Sequence, residues 1–501
     1  MKDGSHTVSI NSSCCSKRLH AMAGGPDDKE AAYLQQSNTG YEDLLVYAGE
    51  WGAWQWRVWI AMWMPAMMAA MATLSWVFTA YPVICQEHED DVVPDDLVRD
   101  DSLVSDLGLV CDREWLLSVV APLYMVGMVC GAPVLGLLGD RCGRRYLVLV
   151  SVLLTAIPGC LVIILPHSLA WHSLCRCVTG FGAGGAMVNT FVYLIEGPRQ
   201  GYRWRLLAAL GLHLGWNCGQ AVLVVLAYFI RGWKELQLVT HAASLVCLTL
   251  FFLVPESPRW LVSQGKLEEA KLVIKSMATT NKKNLPNDIL NSLVQPPSID
   301  KEEMPRTLFH RVFILSFQWF ATNLCYYGIH YSSVKLYGDI YINFPLLMTA
   351  EVFANLFSHL VALPFLGQKT YLTVCQAVCS LVLLLTCLVP PSYHILKIFL
   401  TLLGKFAATS NFNCIYFYTC ELFPTSIRST TIGVCSTVGR LGAMLALAAV
   451  HLSWVAEVLP PVIMATPAAI AAVLMFTLPH TSNCALPETI KDALGDIRKD
   501  G

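Results

Sequence analysis

The chain has 501 residues, of which 55% are hydrophobic and 14% charged, against roughly 25% charged in a soluble globular protein. With a mean hydropathy of +0.51 it carries too little charge to coat a water-facing surface, which excludes a string of soluble domains and implies a polytopic membrane protein. A net charge of −2, from 34 basic and 36 acidic residues, excludes a general basic footprint for nucleic acid.

The first residues, MKDGSHTVSINSSCCSKRLH, hold no apolar signal-peptide core. The first spanning helix is therefore expected to direct insertion, and Cys14 and Cys15 are candidates for acylation in the cytosol. Runs of about 20 mostly apolar residues predict twelve spans, near 58–82, 116–138, 146–165, 177–195, 206–230, 236–254, 312–334, 344–366, 370–390, 398–418, 430–453 and 457–478. They fall into two six-helix halves, giving five regions. These are a cytosolic segment 1–55, a bundle 56–254 with an acidic outer loop 83–115, a cytosolic central loop 255–307, a second bundle 308–478 and a cytosolic tail 479–501. Lys and Arg concentrate on the loops assigned inside. The outer loop has only Arg99 and Arg113 as basic residues, and it holds Cys85 and Cys111, the candidate disulfide. Most of the 19 cysteines lie instead in apolar runs, where a thiol is a small buried hydrophobe. The central loop contains a helical pattern, GKLEEAKLVIKSM from Gly265. Glu196 with Arg203, and Glu421 with Arg428, recur at one spacing at matching places of the two halves, which points to a duplicated bundle enclosing a site near the bilayer midplane.

Most spans contain no charge, so three ionisable residues well inside them stand out: Glu351, Lys405 and Arg440. Each costs about 2.5–3.5 kcal/mol to insert at a helix centre. Three such costs imply a wet cavity or mutual pairing. An ion pair of Glu351 with Lys405 or with Arg440 that only holds helices together is one reading. Two cations against one anion leave a positive charge over, however, and the planar guanidinium of Arg440 suits a carboxylate or sulfate, with Lys405 the second candidate. In the seventh span Trp319, Asn323, Tyr326, Tyr327 and His330 share one helical face, which suits an organic ligand with a ring and a charge or, more simply, helix packing and an interfacial aromatic belt. Asn217 and Gln220 add amides that need partners within the bundle. His213, His241, His359 and His451 show no metal-ligand spacing. The run GFGAGGAMVN from Gly180 follows no strand and reads as close helix packing. The sequence has no P-loop, nucleophile elbow or H-E-x-x-H, so neither an enzyme nor a cofactor is expected.

GLLGDRCGRR, Gly136 to Arg145, matches the G-x-x-x-D-R-x-G-R-R signature of the major facilitator superfamily. GEWGAWQ at Gly49, LVCDREW at Leu109, AYFIRGWKELQ at Ala227, PESPRWL at Pro255, WFATNLCYYG at Trp319, GKFAATSNFNCIYFYTCELFPTSIRS at Gly404 and ALPETIKD at Ala485 follow in the order of the organic cation, anion and zwitterion transporters of solute carrier family 22. The chain resembles that family from residue 49 onward, most closely its organic-anion branch. The resemblance implies an all-α major facilitator fold of twelve transmembrane helices and alternating-access transport of small organic anions or zwitterions. A carnitine-like zwitterion or organic cation carrier, and a non-transporting receptor or scaffold, are the alternatives. It also implies an inner gate built from Asp140, Arg141, Arg144, Arg145, Glu196, Arg203, Glu256, Arg259, Glu421 and Arg428. Arg440 falls where anion- and carnitine-type relatives carry arginine. The expected partners are a small organic ion, the lipid bilayer of the plasma membrane, and a counter-ion or exchange substrate. Two features depart from the family: the outer loop is short, and the second copy of the Gly-Arg-Arg loop is reduced to Gly367, Gln368 and Lys369.

Overall fold

A computed structural model describes residues 41–80, 103–109, 113, 116–164, 168–197, 202–293, 305–332, 340–390, 392–423, 425–452 and 456–480. Cys14, Cys15, Cys85 and Cys111, and the tail from 481, lie outside these residues. Helices fall on all twelve predicted spans. The first half contains α1 (Ala53–Thr79), α2 (Leu117–Cys142), α3 (Arg144–Ile164), α4 (Leu169–Glu196), α5 (Tyr202–Phe229) and α6 (Trp233–Leu253). The second contains α7 (Arg306–Tyr331), α8 (Ile340–Leu366), α9 (Gln368–Leu388), α10 (His394–Leu422), α11 (Thr425–His451) and α12 (Leu459–Thr477). Among the described residues ten are long and apolar enough to cross a bilayer. The other two are α6, which contains a 3₁₀ turn at Leu245–Thr249, and α7, which carries a polar face including Gln318 and Asn323.

The two halves are built alike. In the first, α5 lies against α1, and in the second, α11 lies against α7. Each contact is set by glycines on the later helix. A β-carbon on Gly219 would overlap the Met67 carbonyl, and one on Gly442 would overlap the Phe320 carbonyl. With no hydrophobic drive between helices in lipid, such backbone approach supplies the packing energy. The Gly-rich run of α4 does the same work against α2, where a β-carbon on Gly180 would overlap the Tyr124 carbonyl. Across the halves α2 packs on α11 and α5 on α8.

The predicted central-loop helix forms as Leu267–Thr280, with Glu268 and Glu269 in its first turn, where they oppose the positive end of the helix dipole. Its buried side, Ala270, Ile274, Met277 and Ala278, meets a helix at Tyr41–Ala48. Asn281, just past its end, ties three segments together. Its Nδ2 donates to the Ala48 carbonyl at 3.0 Å and to Gln55 Oε1 at 2.9 Å, while its Oδ1 accepts from the Trp54 N–H at 3.0 Å.

Gly442→Leu is expected to cost about 1–3 kcal/mol or more by forcing α11 away from α7. The readout is the thermal unfolding midpoint in detergent. Leucine at Gly433, where a β-carbon meets nothing within 4 Å, should leave that midpoint near wild type.

Candidate functional site

The three intramembrane charges predicted from the sequence lie on α8, α10 and α11, and the structure brings two of them into contact. Lys405 Nζ is 3.1 Å from Glu351 Oε2. The pair is sealed, with Lys405 at 0% and Glu351 at 2% exposure. The carboxylate also accepts from the Tyr326 hydroxyl at 2.6 Å and from Gln220 Nε2 at 3.1 Å. Lys405 sits 3.5 Å above the Tyr326 ring, and its Nζ lies 3.3 Å from His330 Nδ1. Gln220 comes from α5, so the ion pair of the second half is held partly by the first.

Arg440 is left over. It is 3% exposed, and Nη1 donates to the Tyr327 hydroxyl at 3.1 Å. Among the described residues no carboxylate pairs with it. Of the two pairings open in the sequence, the one with Lys405 forms, and Lys405 as a second free cation does not survive. The α7 face behaves as a unit. Tyr326, Tyr327 and His330 each touch a charged group, while Trp319 Nε1 donates to Thr419 Oγ1 at 3.1 Å and packs edge-on to Tyr416, centroids 4.3 Å apart. Phe412 and Phe191 extend this wall from α10 and α4. Asn323 turns to its own helix, donating to the Trp319 carbonyl at 2.8 Å. Asn217 accepts from Asn355 Nδ2 at 2.5 Å, and Asn355 in turn accepts from Asn413 at 2.8 Å.

Sequence reading missed two features. Arg176 is a third cation within the spans, beside Lys405 and Arg440, because α4 begins at Leu169 rather than near 177; His172 and Arg176 make the start of this helix read as a polar flank. His213 and His359, from α5 and α8, meet with ring centroids 5.3 Å apart and planes tilted by 48°, a contact that separate helices cannot announce by spacing.

At the α2–α3 turn, Gly143 adopts φ +108 and leaves room for the Glu256 carboxylate. Glu256 accepts from the Arg144 and Arg145 N–H groups at 3.0 and 3.1 Å and so caps the first turn of α3. Burial pushes its carboxyl above the ordinary carboxylate range, against the pull of the Ser257, Arg145 and Arg144 amides. The Arg144 side chain pairs with Asp140 and, at 3.2 Å, with Glu196. Glu196 also accepts from Ser257 Oγ at 2.6 Å, and its carbonyl accepts from Arg259 Nε at 3.3 Å. Arg141 is exposed and stands apart from this cluster, and the Arg203 and Arg428 side chains lie outside the described residues. At the matching α8–α9 turn, Gly367 adopts φ +73 and Gln368 takes the place of Arg144, donating to Glu421 Oε1 at 2.8 Å.

Removing one partner of a buried pair leaves an uncompensated charge, costing about 3–5 kcal/mol. Lys405→Met and Glu351→Gln should each lower the thermal midpoint in detergent strongly. The double variant should recover much of the loss, and additive losses would count against the pair as an energetic unit.

The sugar (and other) transporter family matches residues 52–491. Human organic cation/carnitine transporter 2 is 31% identical over 402 residues, covering 78% of this chain and 72% of its own. Solute carrier family 22 member 2 of Rattus norvegicus is 30% identical over 402 residues, covering 78% and 71%. In fold, a major facilitator superfamily proton:xylose symporter matches 89% of this chain and 99% of its own with a TM-score of 0.64 at 15% identity, a level that speaks to the fold alone. An all-α bundle of paired six-helix halves with a sealed polar centre is thus a multi-pass membrane transporter and not an enzyme, and the chain belongs to solute carrier family 22 within the sugar (and other) transporter family.

Proposed function

We propose that the chain carries a small organic zwitterion, with a carboxylate and an onium centre on one body, across the plasma membrane by alternating access, both termini being cytosolic. The observation that carries this reading is Arg440, a buried guanidinium that no described carboxylate neutralises, beside an aromatic wall. The guanidinium fork takes the carboxylate. Tyr327, Trp319 and Tyr416 offer ring faces to the cationic end, where a desolvated contact contributes about 2 kcal/mol. Two of the relatives are named for organic cations and carnitine, and a zwitterion reconciles those names with an unpaired arginine better than the purely anionic substrate that the organic-anion resemblance implies. Glu351 and Lys405, already engaged with each other, set the position of Tyr326 and do not take substrate charge.

The α2–α3 cluster of Asp140, Arg144, Glu196, Glu256 and Arg259 acts as the inner lock of the first half. At the matching turn the Gln368 amide meets Glu421; this contact lacks the ion-pair attraction that Arg144 has with Glu196, and in this reading the balance shifts toward inward-open states.

Cells expressing the protein, compared with empty-vector cells, should take up a zwitterion from a panel of organic anions, cations and zwitterions in a saturable way. Arg440→Gln at matched surface level should raise the apparent KM for the carboxylate-bearing substrate about tenfold or more. It should leave uptake of the same onium without a carboxylate unchanged. Saturable uptake of dianions alone would replace this reading with an anion carrier. No uptake of any class would favour a receptor or scaffold that retains the fold. For the lock, labelling of a cysteine in the inner cavity should fall in Gln368→Arg, and equal labelling would overturn the asymmetry.

A further inference from the structure

Arg176 is the charge that the substrate reading leaves unexplained. It is 6% exposed on α4. Its guanidinium lies 4.3 Å from the Trp76 ring centroid and 5.4 Å from that of Tyr124. No carboxylate pairs with it among the described residues, and Nε has no hydrogen-bond partner. Cation–π contacts return about 0.5–2 kcal/mol each, whereas leaving a buried ion uncompensated costs several kcal/mol. The shortfall calls for a negative charge.

The space for one is present. Beside Arg176 is a cavity of about 10 Å³ lined by Ala72, Tyr124, Thr179, Gln237 and His241. That volume admits one small occupant, of the size of a water or a single ion, rather than a large organic anion. Thr179 and Gln237 bring a hydroxyl and an amide, both able to donate. His241 donates from Nδ1 to the Gln237 carbonyl at 2.9 Å, so its buried, unpartnered Nε2 is an acceptor and takes no part in holding an anion. A lone water between Arg176 Nε and His241 Nε2 would satisfy both atoms but leave the charge uncompensated. A monatomic anion offsets the charge itself.

We propose that this cavity is a halide site, taking chloride, held by Arg176 in the first half and separate from the Arg440 site in the second. The inference stands independently of the substrate reading.

The test is thermal unfolding of the purified full-length protein in sodium gluconate, chloride or bromide at one ionic strength. Chloride and bromide should raise the midpoint by about 2–4 °C over gluconate. The rise should vanish in Arg176→Gln and in Ala72→Leu, which fills the cavity and leaves the charge in place. It should persist in Arg440→Gln. If Arg176→Gln does not fold, Ala72→Leu decides. Equal midpoints in gluconate and halide for the wild type would overturn the proposal, as a site holding water only would give. A halide shift that survives cavity filling, or one lost in Arg440→Gln, would overturn it as well.

Discussion

The structure depends on one sealed contact, the ion pair between Glu351 of α8 and Lys405 of α10. Two full charges near the middle of a bilayer are tolerated only when they neutralise each other and have their remaining hydrogen-bonding capacity met. Tyr326, Gln220 and His330 meet much of it. Three helices of the second half and one of the first thereby become mutually dependent. The aromatic face of α7 is oriented by the same contact, because the Tyr326 hydroxyl is committed to Glu351 and its ring to Lys405. The Arg440 site is consequently built on a scaffold that its own charge does not have to stabilise.

The duplicated architecture sharpens the meaning of the differences between copies. Gly143 and Gly367 make the same kind of positive-φ turn, and Glu196 and Glu421 stand at equivalent helix ends. The residue that follows the glycine differs: the Arg144 guanidinium reaches Glu196 in one half, and the Gln368 amide reaches Glu421 in the other. The charged cluster also recruits Glu256, Ser257 and Arg259 from the central loop, so the loop that joins the halves is welded to the first. Asn281 extends that weld to the helix at Tyr41–Ala48.

Much of the fold could be read from the sequence because lipid imposes a simple rule, that backbone groups be satisfied within helices of a set length. All twelve spans were legible for that reason, and the signature at Gly136 to Arg145 fixed the loop that closes the charged cluster. The helix ends were less legible. The stretch from Leu169 to Arg176 is helical, yet its histidine and arginine read as a flank, and so the third intramembrane cation went unseen. Pairing was legible only as a charge count. Nothing in the sequence chose Lys405 over Arg440 as the partner of Glu351, since the choice depends on how far α10 and α11 stand from α8. The contact of His213 with His359 depends on two helices of different halves meeting, which no local pattern encodes.

The composition of α7 bears on how the chain is made. Tyr326, Tyr327 and His330 leave this helix a poor candidate for entering lipid by itself, since each polar group needs a partner the hydrocarbon lacks. Its partners are Glu351, Lys405 and Arg440, all synthesised later. The nascent second half is therefore expected to wait beside the insertion machinery until α8, α10 and α11 have emerged, and to enter the membrane as a group rather than one helix at a time. The residues that define the candidate site thus also set the order of assembly.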